Sequence, residues 1–297
     1  MGNRRHYAFL DAWVLSRLAD ATFATGLSRL LRARGLVPVS TALSFVEVYN
    51  PGWAREPARE RGEAVATFLA DHPSVIVEPT DVFSIEYERF PDRPAELPVR
   101  LDLSAFERST RREVLLQFLR RHETFLAMDK DVGSWAERYA EQKATWISSA
   151  KAVVEGVMRD NRIERQSDGS VRVGRGVREC ALLSLDLRLV DGADADAYLA
   201  RATHRRGTRI PVMRGCRTTS LAMWHLYAVE ISTDRLAQRE SDIGDILHLA
   251  LAPYCELFTA DAKMIRLLLR MAADIGLDSD KLLGPAALES LARRAPS

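Results

Sequence analysis

The chain has 297 residues, 47% of them hydrophobic, enough for one large globular domain or two ordinary ones. Forty-two Lys and Arg nearly balance 41 Asp and Glu, and a net charge of +1 argues against wholesale polyanion binding while leaving room for a local basic patch. No apolar run approaches the ~20 residues that span a bilayer. The basic start Met-Gly-Asn-Arg-Arg-His is followed by no apolar secretory core, and His6 counts against myristoylation. The three cysteines, Cys180, Cys216 and Cys255, lack metal-ligand spacing and read as reduced thiols of a cytoplasmic protein.

In chain order, Tyr7-Ala8-Phe9-Leu10 reads as a buried strand that ends on Asp11. Residues 13–34 carry Trp13, Leu15, Leu18, Phe23, Leu27 and Leu30 at roughly helical spacing, and Gly35 closes that run as a C-cap glycine does. Val37–Ser40 is a second strand, followed by a helix over 41–49 that carries Glu47 and is broken at Asn50-Pro51-Gly52. A helix over 57–71 and a third strand at 74–78 complete a strand–helix–strand–helix–strand order, the signature of a parallel sheet with crossovers.

The pattern changes after about residue 80. Pro91, Pro94 and Pro98 mark a linker-like stretch, and residues 104–165 read as strongly helical. A turn is expected at Ser167–Ser170 and further helices over 177–200 and 217–238. The α/β pattern resumes with a short helix bearing Asp242 and Asp245, a tight turn at Pro253-Tyr254, and a buried strand ending on Asp261. The simplest organisation is one α/β unit made from residues 1–90 and 236–297, interrupted by a mostly helical insertion over 91–235. Two buried strands that each end on Asp would then deliver carboxylates to the carboxyl edge of one sheet, where open α/β folds bind ligands.

Four segments carry a family resemblance: Phe-Leu-Asp-Ala-Trp-Val-Leu (9–15), Val-Ser-Thr-Ala-Leu-Ser-Phe-Val-Glu-Val (39–48), Asp-Ile-Leu-His-Leu-Ala-Leu-Ala (245–252) and Leu-Phe-Thr-Ala-Asp (257–261). In order and spacing they resemble the PIN-domain family of metal-dependent nucleases. The resemblance implies a PIN-like three-layer fold with a central parallel sheet. It implies an acid set of Asp11, Glu47, Asp245 and Asp261, with Asp242 one turn before Asp245 able to share or replace its role, and a supporting hydroxyl at Thr259. It further implies a Mg²⁺- or Mn²⁺-dependent hydrolase that cleaves phosphodiesters, RNA in preference to DNA, leaving 5′-phosphate and 3′-hydroxyl ends. A protein partner such as an antitoxin, or a homodimer, is compatible with it. Residues 80–235 match no family. A scaffold on the same fold that binds RNA or protein without catalysis is the alternative, and retention of all four acids counts against it.

The chemistry agrees with the residue types. Phosphodiester hydrolysis needs an activated water and stabilised charge at phosphorus, which divalent ions supply. Hard ions prefer carboxylate oxygen. Like charges at 4 Å repel by about 4 kcal/mol at an effective dielectric of 20, so clustered acids must bind cations or hold protons. Each acid also has an ordinary reading. Asp11 and Asp261 stand where helix caps stand, Glu47 sits where a surface residue would, and Asp242 and Asp245 share one helix face. His248 continues that stripe and reads as a packing or hydrogen-bonding residue. A basic run over 201–217 holds Arg201, Arg205, Arg206, Arg209, Arg214 and Arg217 with no acid. Their planar forks suit phosphate, so the run reads either as a nucleic-acid guide or as a solvated loop.

Overall fold

A computed structural model describes residues 5–48, 58–89, 96–127, 148–149, 152–157, 159, 164–165, 171–172, 175–190, 213–233 and 242–295. Its strands, in chain order, are β1 His6–Phe9, β2 Leu36–Ser40, β3 Val75–Ile76, β4 Leu101–Asp102, β5 Glu164–Arg165, β6 Val171–Arg172, β7 Leu257–Thr259 and β8 Leu282–Leu283. Six of them form one sheet in the order β4-β3-β2-β1-β7-β8, while β5 and β6 make a separate antiparallel pair. All neighbours in the large sheet are parallel except β4, which runs antiparallel to β3 at the edge. The chain is therefore an α/β fold with a mostly parallel central sheet.

Strand side chains alternate between two cores, as the period of two requires. Ala8, Leu36, Ile76 and Leu257 enter one cluster, and Phe9, Val37, Val75 and Phe258 enter the other. Helices α1 (Ala12–Ser16), α2 (Ala21–Ala33), α3 (Ala42–Val48), α4 (Ala58–Ala70) and the start of α6 (Arg108–Ala127) contribute to the first core. Helix α5 (Pro79–Arg89), α7 (Arg175–Leu189), α8 (Arg214–Thr233), α9 (Asp242–His248) and α10 (Ala262–Ile275) contribute to the second. The last helix, α11 (Pro285–Arg294), returns to the first through Leu288. Thus α7 and α8, from the region read as an insertion, share a core with the sheet strands.

Crossover handedness fixes this arrangement. The chain steps from β1 to β2 to β3 in one direction, with α2 and α4 on one face. It steps from β7 to β8 in the other direction, with α10 on the opposite face. Right-handed crossovers in opposite directions must use opposite faces. The reversal between β1 and β7 is a topological switch point. Pro38 is tolerated inside β2 because Val39 faces β1 (its carbonyl accepts from Leu10 N at 2.9 Å), so Pro38 faces β3, whose pairing begins only opposite Val39.

Several expected elements need correction. The single helix over 13–34 is broken, because Asp20 caps a new helix: its carboxylate accepts from Thr22 N at 2.9 Å and Phe23 N at 3.2 Å. Helix α5 precedes the proline-marked stretch, residues 96–99 of that stretch form no helix or strand, and β4 adds an edge strand after it. Helix does not continue to 165, since Glu164 and Arg165 pair with Val171 and Arg172 across the expected turn, whose residues lie outside those described. Pro253 and Tyr254 end a 3₁₀ segment, Leu249–Tyr254, instead of forming a separate tight turn. The proline-marked residues 91 and 94, residues 128–147 and residues 191–200 also lie outside the described residues. Among the described residues no helix is long and apolar enough to cross a membrane.

Candidate metal centre

Asp11 follows β1 by two residues and occupies the N-cap of α1, with extended backbone at φ −65° and ψ 160°. It holds the cap position without a side-chain capping hydrogen bond, so the cap does not occupy its carboxylate. The residue is 8% exposed. Burial pushes its pKa up to about 8; Asp245 raises it, the Ala12 amide pulls it down, and Asp261 adds a further upward push. Two more of the acids read from the sequence are thus electrostatically coupled to Asp11, although they come from the other end of the chain.

Thr259 makes that meeting possible. Fully buried in β7, its hydroxyl donates to the Phe9 carbonyl at 2.8 Å and accepts from the Asp11 amide at 3.0 Å. One side chain therefore ties β7 to the last turn of backbone leaving β1 and fixes the direction in which Asp11 departs. Two residues later Asp261 does cap its helix, accepting from Met264 N at 2.7 Å, while remaining exposed at the same sheet edge. Its second oxygen is not required by the cap, so capping and ligation are compatible.

Glu47 reaches the same region from α3. Gly244 on α9 is the reason it fits: a Cβ there would lie 3.2 Å from Glu47 Oε1 and 3.0 Å from Leu43 Cδ2. Asp245 is half-buried on α9, and His248 follows at i+3, on the same face. Asp242 opens α9, but its side chain lies outside the described residues.

His248 is the residue that sequence reasoning undervalued. It is 2% exposed, and its ring packs on Phe9 with centroids 5.2 Å apart. Nε2 lies 2.8 Å from Thr41 Oγ1, which also accepts from the Ser44 amide at 3.0 Å. Nδ1 has no hydrogen-bond partner among the described residues and lies 3.9 Å from Asp11 Oδ1, too far for a hydrogen bond. Burial pushes the imidazole pKa down to about 3, so the ring is neutral, the form that binds metals. Donor atoms of Asp11, Glu47 and His248 all lie within 4.8 Å of one another. A Thr–His–Asp order also resembles an activated nucleophile, but Thr41 is fully buried and cannot meet a substrate. Its hydroxyl orients the imidazole instead. The available signal was the Asp245-x-x-His248 spacing, which puts carboxylate and imidazole on one helical face.

The basic run is a different matter. Arg201, Arg205, Arg206 and Arg209 lie outside the described residues. Arg214 and Arg217 belong to α8, not to an exposed loop. Arg214 donates to the Gly276 carbonyl at 2.9 Å. Arg217 bridges Asp186 at 2.9 Å and Glu179 at 3.0 Å. Both are occupied within the fold, because Asp186 is 1% exposed and a buried carboxylate requires a paired cation.

Comparison of the chain with protein-family models, with curated proteins and with solved structures finds no match. The site is therefore read from its own geometry. Carboxylate oxygens and a neutral imidazole nitrogen converge at the carboxyl edge of the sheet beside a switch point, and one buried donor atom, His248 Nδ1, aims into the group without a hydrogen bond. Donor types and placement fit a divalent cation.

Proposed function

We propose that the protein is a divalent-metal-dependent nuclease that hydrolyses phosphodiester bonds, with RNA as its substrate. The observation that carries this reading is the meeting of donor atoms of Asp11, Glu47 and His248 within 4.8 Å of one another, beside the β1–β7 switch point. Open α/β sheets bind ligands at that position. Asp11, Glu47, Asp245 and Asp261 are the residues that would hold Mg²⁺ or Mn²⁺. Such ions activate an attacking water and offset charge on the phosphoryl oxygens.

The protein's own residues have separable duties in this reading. Thr259 holds the Asp11 backbone, Gly244 lets Glu47 lie against α9, and the α10 N-terminus beside Asp261 favours an anionic substrate group. Burial first, and then Asp245 and Asp261, raise the pKa of Asp11, and a bound cation would offset the charge that this site disfavours. The reading also makes residues 1–90 and 236–297 a PIN-like unit and 91–235 an elaboration that adds the edge strand β4, with α6 on one sheet face and α7 and α8 on the other.

The test is cleavage of mixed single-stranded and structured RNA with Mn²⁺ or Mg²⁺, against EDTA and against Asp11→Asn. Metal-dependent cleavage that the variant lacks supports the enzyme. Salt-sensitive RNA binding with no cleavage under any metal would replace it with a non-catalytic scaffold.

A further inference from the structure

Within the proposed metal centre, four of the acids came from the sequence pattern, whereas His248 enters on geometry alone. A buried histidine ordinarily satisfies both ring nitrogens, since an unmet buried polar atom costs about 1–3 kcal/mol. His248 satisfies Nε2 through Thr41 and leaves Nδ1 without a partner and near Asp11, in a residue group that also holds Glu47. The 3.9 Å between Nδ1 and Asp11 Oδ1 is too long for direct bonding. Two donors on one octahedral ion at about 2.1 Å each stand about 3.0 Å apart when adjacent and about 4.2 Å when opposite, so the pair lies between those limits, within reach of one shared ion. The Thr41 hydroxyl on Nε2 holds the ring plane as an outer partner of a metal-bound histidine does, and Nε2–H donating to it leaves Nδ1 unprotonated, the ligand form.

We propose that His248 Nδ1 is a ligand of the ion held by Asp11 and Glu47, and that this nitrogen makes the site select Mn²⁺ over Mg²⁺. Mg²⁺ is hard, loses water reluctantly and takes oxygen donors. Mn²⁺ accepts the same carboxylates and lies at the start of the first-row series that accepts imidazole. The selection is between Mn²⁺ and Mg²⁺; Zn²⁺ stands above Mn²⁺ in the first-row order for any such N/O donor set. The selection rests on the metal-centre reading above but not on nuclease activity.

The experiment loads the full chain with Mn²⁺ alone and records electron spin echo envelope modulation, with parallel calorimetric titration of Mn²⁺ and Mg²⁺. The expected spectrum shows ¹⁴N modulation from a directly bound imidazole, and Mn²⁺ binds more tightly than Mg²⁺. His248→Asn removes the modulation and weakens Mn²⁺ by ~10- to 100-fold or more, with little change for Mg²⁺. The wild-type spectrum needs no variant, so a misfolded substitution does not block the test. Bound Mn²⁺ without nitrogen modulation, or equal losses for both ions, overturns the proposal; a water bridging Nδ1 to Asp11 would give that result. Failure to bind Mn²⁺ overturns it together with the metal centre. Nitrogen-coupled Mn²⁺ without RNA cleavage supports it while removing the nuclease reading.

Discussion

Replacing Glu86 with glutamine should remove part of the pH dependence of stability. Glu86 lies on α5, 1% exposed, where its carboxylate meets the start of α8. It accepts from Gly215 N at 2.6 Å, from Cys216 N at 2.8 Å and from the Tyr254 hydroxyl. Burial raises its pKa from 4.5 to about 7; the Cys216 amide, the Tyr254 hydroxyl and the Gly215 amide pull it down, and Asp186 pushes it up. Between these values the folded protein keeps a proton that the unfolded chain has lost. The stability it contributes is thus complete below pH 4.5 and is lost as pH rises through about 7. At ~1.4 kcal/mol per pH unit the window corresponds to about 3 kcal/mol. Glutamine does not titrate, so the unfolding free energy of wild type minus that of Glu86→Gln should fall by about this amount across the window. Urea unfolding of both proteins at pH 5 and pH 8 measures it, with other carboxylates cancelling in the difference. A difference that grows with pH would refute the reasoning. It would mean that three donors and the α8 dipole outweigh burial, and that Glu86 works as an ionised cap.

Three further perturbations separate fold from site. Asp261→Asn should keep the α10 cap and leave stability nearly unchanged while metal affinity falls; Asp261→Ala should also cost about 1 kcal/mol in thermal or urea unfolding. Gly244→Ala should change stability little, because a helix-propensity gain of up to ~1 kcal/mol offsets a tight contact with Leu43, yet it should displace Glu47 and weaken Mn²⁺ binding by about tenfold in calorimetry. Gly26→Ala should destabilise by about 1–3 kcal/mol in urea unfolding with metal binding intact, since its Cβ would stand 2.5 Å from the Ala292 carbonyl oxygen and push α2 from α11.

The parts of this molecule legible in the sequence are those where one residue type answers one local demand. Buried runs such as Leu36–Ser40 and Leu257–Thr259 announce parallel strands, and an Asp at the end of such a run is already at the reactive edge. Local pattern failed where an element is defined by a partner. Leu101–Asp102 is a strand only because β3 offers an edge, and Asp20 breaks a helix that periodicity alone would continue. Arg214 and Arg217 looked like a phosphate track because their acceptors, the Gly276 carbonyl and Asp186, are distant in sequence.

His248 belongs to the same class, and it shows what the site depends on. Its surroundings come from α3, β1 and α9, so its free nitrogen has meaning only after β1 and β7 have paired. That pairing is sealed by Thr259, whose two hydrogen bonds reach back 250 and 248 residues. Contacts of such separation carry a large loop-closure cost and form late. The acids therefore stay apart in the unfolded chain and repel only once the sheet is built. A cation that binds between Asp11, Glu47 and His248 would stabilise the folded state and have no preformed site in the unfolded one. Unfolding resistance should accordingly rise with Mn²⁺ concentration, and that dependence should vanish in Asp11→Asn, a variant relieved of the buried charge that the ion offsets.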